Sequence, residues 1–115
     1  MKIVDMINKL GLTIKADGEN LEQEVDNCYV SDLLSNVMGQ APPGSLWITM
    51  QGHPNIAAVA SLLSLPVIIV AGDANVEDGT LKKAVDNNFT ILTSPLTVFE
   101  LSGQLYAEGL SGRAK

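Results

Sequence analysis

The second half of the chain alternates apolar strand patterns with helical patterns, and this alternation constrains the fold more than any other feature. Strands are predicted at Leu46–Met50, Val67–Ala71 and Thr90–Thr93. The run VIIVA at 67–71 is apolar throughout and mostly β-branched, which is typical of a strand covered on both faces. A helical pattern follows each strand, at Pro54–Leu63, at Thr80–Asn87 and from Ser94–Pro95 to about Glu108. Strand–helix units that repeat about every 20 residues predict a parallel sheet with right-handed crossovers.

The first half of the chain is less regular, and we expect it to add one or two strands to the same sheet. The patterns predict a helix at Met1–Leu10, a strand at Leu12–Ala16, an irregular strand within Glu24–Val30 and a helix from an N-cap at Ser31 to Gly39. No linker divides the chain. The predicted fold class is therefore α/β, a three-layer single domain with a largely parallel central sheet. The domain is predicted to span residues 1–110, with a frayed tail at 111–115.

The net charge and the cysteine content argue against several classes of function. The chain has 115 residues, a net charge of -6 and one cysteine, Cys28. An acidic chain is a poor match for nucleic acid or an anionic membrane surface. Cys28 has no partner for an internal disulfide and is interpreted as a small buried residue. Asp5 and Lys9 interrupt the start of the chain too early for a signal peptide, so we expect a cytoplasmic protein.

The candidate site lies where the predicted strands end. In an open parallel sheet, ligands bind outside the carboxyl ends of the strands, where helix N-termini favour anions. The predicted ligand-binding residues follow the three strands in turn and are Gln51, Gly52, His53, Asn55, Gly72, Asp73, Thr93 and Ser94. The backbone N–H groups of Asn55 and Ile56 are the expected donors to an anion, and the carboxylate of Asp73 would suit a ribose hydroxyl. A nucleoside phosphate fits this set better than bare phosphate. The alternative is that the corner is only a well-made turn in which His53 caps a helix.

An enzyme that uses His53 is the weaker interpretation. A lone histidine needs a partner for acid–base work, and Asp73 or Ser94 could supply one only by chance of geometry. The sequence contains no phosphate loop, no dinucleotide-binding glycine motif, no nucleophile elbow and no histidine pair for zinc. We therefore predict no catalytic residues, no metal and no cofactor, with an unidentified nucleotide as a possible ligand.

Residues 28–72, CYVSDLLSNVMGQAPPGSLWITMQGHPNIAAVASLLSLPVIIVAG, resemble a DRTGG domain. The similarity extends to TILTSPLTVFELSGQLY at 90–106, and so to nearly the whole fold. The resemblance implies a regulatory or assembly module of the kind found beside CBS domains in regulated pyrophosphatases. It also implies similarity in fold to the N-terminal domain of HPr kinase/phosphorylase, and frequent pairing with a second copy. The literal Asp-Arg-Thr-Gly-Gly string is absent, and the loop at that place is AGDANVEDG, residues 71–79.

These observations predict a non-catalytic regulatory module, dimeric, that senses a small anionic or nucleotide ligand or docks on a partner enzyme. The alternatives are a purely structural dimerisation domain and a small stand-alone enzyme. A homodimer is expected, with an interface in Tyr29–Met38 or in the loop Ala41–Gly44, between which the sequence does not choose.

Overall fold

The computed structural model describes residues 1–113 and forms one α/β domain with five helices and five strands. In chain order the elements are α1 Ile3–Leu10, β1 Thr13–Ala16, β2 Cys28–Val30, α2 Leu34–Gln40, β3 Leu46–Thr49, α3 Pro54–Leu63, β4 Val67–Val70, α4 Asp78–Asp86, β5 Thr90–Thr93 and α5 Val98–Ala107.

The five strands form one sheet in the order β1-β5-β4-β3-β2. Strands β2 to β5 are parallel and lie side by side in chain order, and β1 pairs antiparallel with β5 at one edge. Helices alternate with the parallel strands because the chain must return to the same end of the sheet before each new strand. The predicted fold class and the largely parallel sheet are confirmed.

Two apolar clusters cover the two faces of the sheet. On one face α2, α3 and α4 pack against alternate strand residues such as Trp47 and Ile68. On the other face α1 and α5 pack against the intervening residues, such as Ile48 and Ile69. Strands β3 and β4 are buried at every position, which explains why their sequences are continuous apolar runs. The three-layer architecture follows directly from this alternation.

Several predicted boundaries require correction, each for a local reason. Helix α2 begins after Leu33, because the Ser31 hydroxyl accepts a hydrogen bond from the Leu33 N–H (3.1 Å) in a turn that precedes the helix. Helix α4 begins at Asp78, two residues before the predicted start. The cap of α5 is Thr97, whose hydroxyl accepts from the Glu100 N–H (3.2 Å).

The end of the domain also differs from the prediction. Ser111 was predicted to start a frayed tail, but its backbone bridges to Asn27 and its carbonyl accepts a hydrogen bond from the Cys28 N–H (2.9 Å). The chain is therefore held to the sheet edge as far as Ser111. The last two predicted tail residues, 114 and 115, lie outside the described residues. Within residues 1–113 no helix has the length and apolar character needed to cross a bilayer.

Candidate functional site

The connections that leave the sheet diverge between β4 and β5. Strands β3 and β4 lead into α3 and α4 on one face, whereas β5 leads into α5 on the opposite face. Neighbouring strands whose connections leave in opposite directions create the crevice in which open α/β sheets usually bind ligands. The fold therefore favours the carboxyl ends of β4 and β5, and not the β3 end that holds the histidine.

Backbone hydrogen bonds join the two loops at this divergence. The N–H groups of Gly72 and Asp73 donate to the carbonyls of Leu96 (2.9 Å) and Ser94 (3.1 Å). Both donors lie in the left-handed region, with φ of 72° at Gly72 and 57° at Asp73. Asparagine and aspartate tolerate this region better than most side chains, which suits Asp73 to the turn. Ser94 is buried, and its hydroxyl accepts from the Leu96 N–H (3.1 Å), so Gly72 and Ser94 build the turn itself.

The corner at Gln51–Asn55 is closed by its own hydrogen bonds. The His53 Nδ1 atom accepts from the Asn55 N–H (3.0 Å), and the His53 carbonyl accepts from the Ile56 N–H (3.0 Å). The two donors that the sequence assigns to an anion are therefore bonded within the helix cap, and an anion would have to displace these bonds to reach them. The Gln51 side-chain amide donates to the Asp32 carbonyl (2.6 Å), which ties the corner to the loop before α2.

The β4–α4 loop, residues 71–77, separates this corner from the ends of β4 and β5. Gly52 lies so close beneath the loop that a Cβ atom there would approach the Asn75 carbonyl oxygen to 1.8 Å. The Gly52 carbonyl also accepts hydrogen bonds from the Glu77 N–H (3.1 Å) and the Thr80 hydroxyl (2.7 Å). The absence of a side chain at Gly52 serves this backbone contact with the loop.

An open cleft of about 520 Å³ lies on the other side of the loop. Its lining comes from β1, the end of β5, the β4–α4 loop and α4, and consists of Thr13, Lys15, Asp73, Ala74, Asn75, Val76, Asp78, Leu81 and Thr93. Asp73 and Thr93 are the predicted site residues that the structure brings together here. The other six predicted residues do not line the cleft.

The cleft has an apolar floor and a charged rim. Ala74, Val76 and Leu81 pack against the core on the α3 and α4 side of the sheet. Lys15, Asp73 and Asp78 supply one positive and two negative charges. None of these three side chains forms an ion pair within residues 1–113, whereas four ion pairs lie elsewhere on the surface. The rim can therefore offer charge and hydrogen bonds to a ligand without first breaking an internal contact.

Sequence reasoning missed Thr13 and Lys15 because they reach the cleft through a long-range pairing. Strand β1 lies antiparallel to β5, with Thr13 opposite Thr93. The alternation in TIKA predicts a strand but does not specify its neighbour. The available signal was a pair of threonines, Thr13 at the start of β1 and Thr93 at the end of β5. This pair indicates a shared site only after β1 is placed beside β5.

Two smaller depressions lie away from these strand ends. One of about 310 Å³ is lined by uncharged polar groups, including Asn20, Asn87 and Asn88, near the C-terminal ends of α3 and α4. The other, of about 150 Å³, is mainly apolar and lies between α5 and β2, beside Cys28 and the Ser102 hydroxyl. Burial raises the pKa of the Cys28 thiol to about 12, so the thiol stays protonated at neutral pH. Within residues 1–113 no three potential metal ligands cluster together.

Comparison with known proteins finds similarity in structure only. No family model matches the sequence, and no curated protein matches it. A solved structure of the CBS and DRTGG domains of the regulatory region of a Clostridium perfringens pyrophosphatase superposes with a TM-score of 0.78 and 19% identity. The superposition covers 96% of this chain and 48% of that one, so the chain spans about half of its neighbour. The chain has a DRTGG-like fold.

The β4–α4 loop supplies much of the cleft lining. The resemblance locates the missing Asp-Arg-Thr-Gly-Gly string at residues 71–79, and these residues form the β4–α4 loop and the first turn of α4. Four consecutive residues of this segment line the cleft, namely Asp73, Ala74, Asn75 and Val76, and Asp78 lines it as well. This segment therefore supplies five of the nine lining residues, including both carboxylates, whereas β1 supplies Lys15.

Proposed function

We propose that this chain is a non-catalytic regulatory module that binds a small anionic or nucleotide ligand in the cleft beside the β4–α4 loop. The observation that carries the proposal is the position of this cleft at the divergence of β4 and β5. The fold supports it, because a pyrophosphatase regulatory region that contains this fold in about half of its length was solved in complex with an activator, diadenosine tetraphosphate. The volume of about 520 Å³ falls in the range of small-molecule sites.

A thermal-shift screen with nucleotides and phosphorylated metabolites tests the proposal. A ligand that binds only the folded chain and is present at 100 times its Kd should stabilise by about 2.7 kcal/mol. For a domain of this size we expect Tm to rise by roughly 10 °C.

A pair of tryptophan substitutions locates the site. Thr13→Trp places a bulky ring in the cleft and should abolish the shift, whereas Ile14→Trp alters the neighbouring residue of β1, which does not line the cleft. Retained binding in Thr13→Trp, with the fold intact, would move the ligand elsewhere. A screen in which nothing raises Tm would leave a purely structural module.

The second part of the proposal is assembly into a homodimer through the outer surfaces of α2 and α3. Residues 33–72 contain no Asp, Glu, Lys or Arg, although the rest of the chain carries every one of the 20 charged residues. This segment nevertheless exposes large apolar side chains, namely Leu33 at 65%, Met38 at 48% and Leu62 at 67%. Interface cores are depleted in charge and enriched in methionine.

The net charge favours this uncharged surface as the place where two copies meet. Two chains that each carry a charge of -6 repel one another, and they approach at least cost through a surface that has no charge. A two-fold axis would bring the same uncharged surface from both copies together. Leu33 and Met38 lie within the segment Tyr29–Met38, which the sequence offers as one of two candidate interfaces.

Sedimentation measures the assembly directly. At micromolar concentration we expect a species of twice the 12.2 kDa monomer mass. Leu33→Glu and Leu62→Glu should give monomers, because each puts a charge in the interface. Tyr106→Glu is the matched control, since Tyr106 is 75% exposed on α5 and lies on the opposite face of the sheet. A monomer in the unaltered chain, or a dimer that survives both glutamate variants, would contradict the proposed interface.

A further inference from the structure

We infer that the cleft takes a nucleoside with a single phosphate group in preference to a nucleoside polyphosphate, and that Lys15 is the residue that binds the phosphate. This inference rests on the proposed function, because it specifies the ligand of the same cleft. It depends on which charges line the cleft and which elements supply them.

The three charged side chains at the cleft come from different elements. Lys15 belongs to β1, whereas Asp73 and Asp78 belong to the β4–α4 loop and the start of α4. Within residues 1–113 no other Lys or Arg lines the cleft, so Lys15 is the candidate there to pair with an anion. The β1 side can therefore bind one phosphate, and the loop side can accept hydrogen bonds from hydroxyl or amino groups.

The apolar floor suits a planar base. Val76 and Leu81 are partly buried and continue the core on the α4 side, and Ala74 lies beside them in the same loop. The Asn75 side chain on the rim offers an amide donor and an amide acceptor, the groups that read the edge of a base. A nucleoside monophosphate carries a base, sugar hydroxyls and a phosphate in one molecule, and these groups match the apolar floor, the carboxylates and the Lys15 ammonium group.

Among the described residues, the cleft lining offers no second cation to a second or third phosphate. With one ammonium and two carboxylates, the lining has a net charge of -1 before any ligand enters. A monophosphate can use Lys15, but each further phosphate adds negative charge close to Asp73 and Asp78. The remainder of the chain increases the repulsion, since the net charge of the whole chain is -6 and the lining supplies only -1 of it. The charge of the lining therefore discriminates against polyphosphates.

Calorimetry with adenosine, AMP and ATP, each with and without Mg²⁺, tests the inference. We expect AMP to bind about tenfold more tightly than adenosine, the gain of one charge-assisted hydrogen bond, and more tightly than ATP in both conditions. ATP that binds as tightly as AMP or more tightly, in either condition, would overturn the inference while leaving a nucleotide-binding module in place. Absence of binding by adenosine, AMP and ATP would overturn the inference and, together with a blank screen, the proposed ligand-binding function as well.

Charge variants identify the residues through affinity ratios, which a small loss of stability does not change. Lys15→Met keeps the aliphatic stem and should reduce the affinity for AMP to that for adenosine. The affinity for adenosine itself should stay within about twofold of its value in the unaltered chain. Asp73→Asn, an exchange that the left-handed backbone at this position tolerates, should narrow the gap between AMP and ATP. Lys9→Met, on α1 at the other face of the sheet, is the control and should leave all three affinities unchanged. An AMP-to-adenosine ratio that Lys15→Met does not alter would remove Lys15 from the site.

Discussion

Replacing Gly52 by alanine should destabilise the chain strongly, although alanine is the smallest possible addition. The new Cβ would lie 1.8 Å from the Asn75 carbonyl oxygen and 2.8 Å from the Val76 Cα atom. Both neighbours are backbone atoms, so no side chain can rotate away. The β4–α4 loop must move, and this movement would strain the two hydrogen bonds that the Gly52 carbonyl accepts from Glu77 (3.1 Å) and Thr80 (2.7 Å).

The magnitude follows from these contacts. Overpacking costs about 1–3 kcal/mol, and each weakened hydrogen bond adds up to about 1 kcal/mol. We therefore expect Gly52→Ala to lower the free energy of unfolding by about 2–4 kcal/mol, which corresponds to a Tm lower by roughly 10 °C. Urea denaturation followed by the fluorescence of Trp47 provides the assay, because this single tryptophan is fully buried between α-helical and strand layers.

The same chemical change at Gly103 is the matched control. Gly103 lies within α5, and an added Cβ there would meet no atom within 4 Å. Gly103→Ala should raise the stability by about 0.5–1 kcal/mol, because alanine favours the helix over glycine. A Gly52→Ala chain that unfolds within about 0.5 kcal/mol of the unaltered chain, a change typical of unremarkable surface substitutions, would refute the close contact between Gly52 and the loop.

Two further substitutions test other parts of the fold. Asp32→Ala should cost about 1–2 kcal/mol in urea denaturation, because it removes the acceptor for the Thr49 hydroxyl (2.7 Å) and the Met50 N–H (2.8 Å); an unchanged midpoint would contradict this. Cys28→Ala should change the pH dependence of stability. In the folded chain burial raises the thiol pKa to about 12 from 9.0, so only the unfolded state ionises between these values and stability falls as pH rises through that window. From pH 7 to pH 10 this loss is about 1.4 kcal/mol, which the alanine variant should lack; equal losses in both chains would show that the thiol is not shielded.

Local patterns predicted most elements, because each strand and each helix carries its own periodicity. The run VIIVA identifies β4 without knowledge of any neighbour, and the strands Leu46–Thr49 and Thr90–Thr93 follow in the same way. The start of α5 was misplaced because two cap-like residues occur close together. Ser94 precedes a proline and Thr97 follows three residues later, and only the structure shows that Thr97 caps the helix while Ser94 closes a turn.

The candidate site was only partly predictable, because its walls come from distant parts of the sequence. Asp73 and Thr93 were found since they directly follow parallel strands, which end at the same edge of the sheet. Lys15 reaches the cleft through the pairing of β1 with β5, which no local pattern specifies. The glycine at the histidine corner looked like a place where a ligand could approach the backbone. The backbone that approaches it instead belongs to Asn75, in a loop whose path the sequence does not reveal.

The contact at Gly52 also connects the cleft with the uncharged surface of α2 and α3. The β4–α4 loop forms one wall of the cleft, and through Gly52 it is bonded to the corner that leads into α3, half of the uncharged surface. A ligand that shifts the loop would therefore also shift the corner that leads into α3. Self-association through α3 would shift the loop through the same contacts. Thermodynamic linkage makes such an effect reciprocal, so a ligand that strengthens the dimer must bind more tightly at higher protein concentration. Ligand titrations at two chain concentrations, one below and one above the dimer Kd, measure this coupling. Equal affinities would show that the cleft and the uncharged surface act independently.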